Sequence, residues 1–168
     1  MISAVFAFQA LHISKGLARP YAIVTPHLDN EGKHMGAYLS NEGTGPAILK
    51  EAILNVDGKE YRGLGDTVWP KVLEDLRYVN VNCFRSAWPA ADSVIRAGNE
   101  TPLITVREDT NNLCFMSIVD FLTNHDVRLT LRYESLYGDS FESKQSLKIS
   151  DERLFDAARV SRAIAIRH

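Results

Sequence analysis

The sequence predicts a mainly β fold, an antiparallel immunoglobulin-like sandwich of about seven or eight short strands with inserted helices, an N-terminal apolar helix and a C-terminal helix. Three observations carry that expectation. Met35 to Val56 reads as a strand, a glycine-and-proline corner and a second strand, and it closes on the hairpin dipeptide Asp57-Gly58. Val127 to Tyr133 is apolar at every second position, the period of a strand that buries one face. The other apolar runs are short and are separated by turn residues. With 168 residues, the chain is long enough for one domain that buries roughly 70% of its unfolded surface.

Met1 to Ile13 is apolar apart from Ser3, Gln9 and His12, and Lys15, Arg19 and Pro20 follow it. A spanning helix needs about 20 apolar residues, and this run is shorter. A secretory signal carries its positive charge before the apolar run, not after it. Two explanations stand. The segment is either the end of a transmembrane helix whose beginning precedes this chain, or a short helix docked on the domain or on a partner. In the first case the basic residues mark the cytoplasmic side. Residues 1–18 are therefore read as an apolar helix and candidate end of a membrane anchor, and residues 19–168 as a single sandwich domain with a C-terminal helix.

Pro20 to Leu28 reads as an extended strand with Tyr21, Ile23 and Thr25 on one face, and its prolines confine it to a sheet edge. Asp29 to Gly32 turns the chain, leaving His27 and His34 at the shoulders of a hairpin. Met35, Ala37 and Leu39 then alternate with Gly36, Tyr38 and Ser40. At the corner, Gly43 and Gly45 offer backbone angles closed to other residues, and Pro46 cannot donate to a ladder, so the sheet turns or changes partners there. Lys59 to Arg62 returns from Asp57-Gly58. Asp66 or Thr67 is positioned to cap a short helix through Val68, Trp69, Val72, Leu73 and Leu76, with Pro70 in its first turn.

Tyr78 to Phe84 alternates and is expected as a strand, and Ser93 to Arg96 as a short one. Ala97 to Pro102 is a turn leading into a strand from Leu103 to Val106. In Asn111 to Asn124, Phe115, Ile118, Val119 and Leu122 fall at helical spacing, with Asn124 as a left-handed terminator. A turn at Tyr137 to Ser140 joins the strand ending at Tyr133 to Phe141 to Ile149, where Phe141, Leu147 and Ile149 are in phase. Ser150, Asp151 and Glu152 open the C-terminal helix with acids in its first turn.

A net charge of -2 gives no broad footprint for a nucleic-acid polymer. Cys83 and Cys114 sit in apolar surroundings without CxxC spacing, and they read as two buried thiols in a reducing compartment, with a single disulfide as the other option. None of His12, His27, His34, His125 and His168 forms an i, i+4 pair, so no metal centre is expected, although His27 and His34 are placed to meet across their hairpin. A phosphate-binding loop and a Gly-x-Ser-x-Gly elbow are both missing, and no catalytic residue or cofactor is assigned. Arg128 and Arg132, opposite Val127, Leu129, Leu131 and Tyr133 on their strand, are the candidate contacts for an anionic small ligand such as a nucleotide. The other reading of this pair is an exposed basic stripe.

Two patterns carry a resemblance. Leu39-x-Asn41-x-Gly43-x-Gly45-Pro46-Ala47, followed by an apolar strand ending at Asp57-Gly58, resembles immunoglobulin-like domains of uncharacterised bacterial membrane-associated proteins. Leu131-x-Tyr133-x-Ser135-x-Tyr137-Gly138-Asp139 resembles them too. The resemblance implies a transmembrane segment ahead of the first strand and supplies no catalytic residue. The expected function is a non-enzymatic interaction or sensor module tethered at the cytoplasmic side of a bacterial inner membrane, with a protein partner or a second copy. The alternatives are a cytoplasmic location and a receptor or effector domain for a small ligand.

Overall fold

In the computed structural model, residues 14–29, 34–63, 67–78, 83–106 and 112–149 are described. The helices expected over residues 1–13 and from Ser150 onward lie outside the described residues, and so does most of the turn after Asp29. Residues 14–17 are helical. No helix among the described residues is long and apolar enough to cross a membrane.

The described residues form nine strands in two antiparallel sheets. One sheet has the order β1 (Ala22–Asp29), β2 (His34–Asn41), β7 (Glu100–Val106), β5 (Phe84–Ser86). The other has the order β4 (Lys59–Arg62), β3 (Ala47–Val56), β8 (Val127–Glu134), β9 (Ser140–Ser146), and β6 (Val94–Ile95) pairs with the first residues of β3. Residues from both sheets and both helices share one hydrophobic core.

The strongest alternation in the sequence becomes β8, which buries Val127, Leu129, Leu131 and Tyr133 and turns Arg128 and Arg132 outward. Its neighbour β3 has apolar residues that fall out of phase: Ala47 and Leu49 are buried, then Ala52, Leu54 and Val56. A register shift between Leu49 and Glu51 resolves this, because a bulge inserts one residue and restores the inward phase. Asp57 and Gly58 take φ of 51° and 85°, the left-handed pair that a two-residue hairpin requires. Asp57 also receives the N–H of Asp126 at 2.8 Å and lies 2.5 Å from Nδ1 of His125. The turn is thereby tied to the start of β8, and the hydrogen bond from His125 holds the Asp57 carboxyl below its ordinary range against the opposing effect of burial.

Strand β2 departs from the one-sided expectation, since every residue from Met35 to Asn41 is buried. At Gly36 (φ 147°) a Cβ would lie 2.0 Å from the carbonyl oxygen of Ile104, so the backbone of β7 occupies the space a side chain would need. Strand β1 is an edge, as its prolines require. Its inward residues are Ala22 and Val24, and Tyr21, Ile23 and Thr25 share the outward face.

Two helices pack against the core and against each other. α1 (Val68–Asp75) carries Pro70 in its first turn as expected, but Thr67 makes no side-chain cap bond. Its fully buried Trp69 lies 5.6 Å from the rings of both Trp88 and Phe121. α2 (Asn112–Asn124) buries Cys114, Ile118, Phe121 and Leu122, with Val119 half-buried; of the expected stripe, the side chain of Phe115 lies outside those described. Asn124 does not take a left-handed φ; its amide donates to Asp120 at 2.6 Å. Of the strand expected over Tyr78 to Phe84, residues 79–82 lie outside the described residues, and β5 begins at Phe84.

The cysteines correct the free-thiol reading. Cys83 and Cys114 form a disulfide with Cα atoms 4.9 Å apart, joining the start of β5 to the first turn of α2. The pairing is made by the fold, which brings together two cysteines 31 residues apart in sequence. A loop of that length predicts a contribution of about 3 to 4 kcal/mol through the unfolded chain. Replacing both cysteines by serine is expected to cost about that much in denaturant titration, and dithiothreitol is expected to lower the midpoint of the natural chain but not of the variant. The acid limb offers a second check. A carboxylate whose folded pKa is depressed adds stability above its unfolded pKa and loses it as pH falls through the folded one. Asp57→Asn, which keeps the left-handed turn, is expected to lower the denaturation midpoint at pH 7, with the two stability curves converging as the pH falls below the ordinary aspartate range.

Candidate functional site: the Asn41 corner and the groove beside it

Asn41, the last residue of β2, is completely buried. Its Oδ1 accepts the N–H groups of Tyr21 at 3.0 Å and Gly43 at 3.1 Å, and its Nδ2 donates to the carbonyls of Gly45 at 2.8 Å and Ile95 at 2.9 Å. Two acceptor sites and two donor protons are all used, which fixes the orientation of the amide. The backbone of Asn41 is bound as well, donating to Asn99 and accepting from Gly98. One side chain thus joins the segment ahead of β1, the end of β2, the corner and β6.

The corner then grips the incoming chain. Glu42 N–H donates to the carbonyl of Tyr21 at 2.9 Å, and the N–H groups of Thr44 and Gly45 converge on the carbonyl of Arg19 at 3.0 and 3.3 Å. A Cβ on Gly43 would lie 2.4 Å from the Arg19 carbonyl oxygen, and one on Gly45 would lie 2.0 Å from that of Ala18. Neither glycine has a positive φ, so the expectation that they supply forbidden backbone angles is corrected. They supply room for a second backbone.

Beside the grip, where the edge strands β1 and β9 meet, lies an open groove of about 470 Å³ lined by Arg19, Tyr21, Thr44, Tyr133, Phe141 and Glu142. Tyr133 and Phe141 stack at 5.7 Å as its floor, and burial pushes the Tyr133 phenol above its ordinary pKa. The Arg19 guanidinium sits 5.4 Å over the Phe141 ring, and no described carboxylate lies within ion-pair distance of it. Glu142 is held by Lys144 and Arg132, which keep its carboxyl below the ordinary range. Residues 14–17 dock on the β8–β9 turn: the Ser14 hydroxyl meets that of Tyr137 at 2.8 Å, and Lys15 pairs with Asp139 at 3.4 Å. Large apolar side chains are left exposed here, Leu17 at 71%, Leu136 at 63%, Tyr21 at 54% and Tyr137 at 41%.

The arginines singled out from the sequence lie elsewhere. Arg132 is on the outer face of β8, 2.6 Å from Glu51 and 2.9 Å from Glu142, and Arg128 is 2.8 Å from Asp126. Both are exposed, both are engaged by carboxylates, and four residues of extended strand, about 13 Å, separate them. They do not converge. His27 and His34 do meet: their rings stack at 4.6 Å, and their Nε2 atoms lie 3.8 and 2.9 Å from the two oxygens of Glu100. Among the described residues, no group of three or more metal-ligating side chains is arranged to hold an ion. From sequence, Arg19 reads as a basic residue after the apolar run and Tyr21 as part of a strand face, and neither reads as a site residue. The signal available for them was that Asn-x-Gly-x-Gly needs a backbone partner, and the segment just before β1 is that partner.

Comparison with models of known protein families, with curated proteins and with solved structures finds no match to this chain.

Asn41→Ala would leave two N–H groups and two carbonyls without partners inside the corner. Each such loss costs about 1 to 3 kcal/mol, partly recovered where water enters, and the variant is expected to lose about 3 to 5 kcal/mol in denaturant titration. Asn41→Asp is expected to fare no better, since it turns an acceptor toward the carbonyls of Gly45 and Ile95. A loss below about 1 kcal/mol in both variants would show that the corner does not depend on this side chain.

Proposed function

We propose that this chain is a non-enzymatic interaction or sensor module of immunoglobulin-like build, held at a membrane by its N-terminal segment. The observation that carries the reading is the docked junction. The apolar sequence ending at Ile13 runs directly into a helical turn docked on Tyr137 and Asp139, and then into residues 18–21, which the Asn41 corner grips through backbone hydrogen bonds. A flexible tether would call for a Gly/Ser-rich or charged linker, and none separates the apolar run from the domain. Exposed apolar side chains cluster where that run arrives. Two antiparallel sheets around one core support the immunoglobulin-like description.

Two observations bear on which side of the membrane the domain occupies. Lys15 and Arg19 directly after the apolar run favour the cytoplasm. The Cys83–Cys114 disulfide favours an oxidising compartment. We give the disulfide more weight, because two basic residues are a weak topological signal and a structural crosslink endures only where thiols are not kept reduced. The second reading, a receptor for a small anionic ligand, draws its support from the volume of the groove, since Arg128 and Arg132 are already engaged.

The test is fractionation. The full chain is expected to sediment with membranes and to resist carbonate extraction, and a chain lacking residues 1–13 is expected to be released as a folded protein, because the grip on residues 18–21 is retained. Full-length protein found in the soluble fraction would remove the tether.

A further inference from the structure

Because the junction has no linker, the position of the N-terminal sequence dictates the position of one end of the domain. Ser14 to Leu17 is a single helical turn, about 5 Å of rise. If the sequence ending at Ile13 is seated in lipid, Leu17 and the Tyr137 side chain that Ser14 contacts lie within about a helical turn of the lipid boundary, with Leu136 next to Tyr137 and Tyr21 four residues beyond Leu17. Those four side chains are the ones an interfacial layer accepts: two leucines for its apolar side, and two tyrosines with an apolar ring and a polar tip. Charge at the same rim is not self-compensated. Lys15 is paired with Asp139, and Arg19 is backed by the face of Phe141 with no described carboxylate in reach. Among the described residues, Glu142 is the carboxylate that lines the groove, and it is occupied by Arg132 and Lys144. A guanidinium stacked on an aromatic ring and left without a counter-ion is suited to a phosphate, which its planar fork engages through two parallel hydrogen bonds.

We infer that this end of the domain is a lipid-headgroup contact, in which Leu17, Tyr21, Leu136 and Tyr137 enter the interface and Arg19, at the mouth of the groove, binds the phosphate of an anionic phospholipid. The inference rests on the membrane-tethered reading above and adds a specific site to it. The Thr44 hydroxyl, which lies 3.4 Å from the Arg19 carbonyl, is a further polar group at the groove mouth. A protein partner is the less suited occupant, because the rim surrounds the point where the apolar sequence arrives and has to accommodate whatever surrounds that sequence.

The experiment uses the full chain reconstituted with vesicles of phosphatidylcholine alone or with a third of phosphatidylglycerol. Hydrogen exchange is followed at residues 19–21, 43–45 and 134–141, and partitioning is measured by flotation. Anionic vesicles are expected to slow exchange in those three segments about tenfold relative to detergent-solubilised protein. In Arg19→Gln the preference for anionic over neutral vesicles is expected to fall about fivefold. Arg128→Gln removes the same charge near the opposite end of β8 and is expected to leave that preference unchanged. The side chain of Arg19 is outside the grip, which uses only its backbone carbonyl, so the substitution spares the fold. Flotation with no protection of these segments, or an equal effect of both substitutions, would overturn the headgroup site and leave the tether standing. Failure to float would overturn both. Protection by glycerol phosphate in the absence of vesicles would reassign the groove to a soluble anion and overturn the lipid assignment.

Discussion

Four hydrogen bonds from one buried amide hold this molecule to a single arrangement. Among the described residues, the Asn41 side chain binds the incoming segment, the corner and β6 together, and each of these contacts is to backbone. Backbone partners make the arrangement insensitive to which side chains surround it, provided that nothing intrudes. That condition explains the glycines. Gly43 and Gly45 stand where the chain ahead of β1 passes at less than the distance a Cβ allows, so a residue of any other type would push residues 18–21 away from the amide that fixes them. Net stabilities of domains are about 5 to 15 kcal/mol, and a cluster of four satisfied buried hydrogen bonds is a large part of such a margin.

Much of the fold was legible in the sequence, and the parts that were not share a cause. Strand β8 and the Asp57-Gly58 hairpin follow from local pattern, because alternation and turn chemistry are properties of adjacent residues. The motif around Asn41 was legible as a corner, but its purpose was misassigned: the glycines serve a contact with residues 20 or more positions earlier, not their own torsion angles. Long-range pairing also decided the rest. The Cys83–Cys114 bridge, the face of α2 that turns inward, and the burial of both faces of β2 each depend on what the opposite element places there. Arg128 and Arg132 were correctly placed on the outer face of their strand. Only the neighbouring strands could reveal Glu51 and Glu142 beside Arg132, and those carboxylates change its meaning from a free anion receptor to part of a surface ion-pair lattice.

The two sheets and the disulfide divide the mechanical load. The Asn41 corner secures the segment ahead of β1, and the Cys83–Cys114 bridge fastens α2 to the start of the edge strand β5. β5 has only three residues and pairs with β7 alone, the weakest hydrogen-bonded strand of its sheet by length. A covalent link at that place compensates for a short ladder.

The meeting of β1 and β9 has a consequence for neighbouring molecules. An unpaired strand edge is a template for another chain. Here Pro26 lacks the N–H that a docking strand would need, and the Ser143 hydroxyl occupies the Ala22 carbonyl at 2.7 Å. The β1 edge is therefore blunted at two places, and a strand arriving from another molecule would find its ladder interrupted at both.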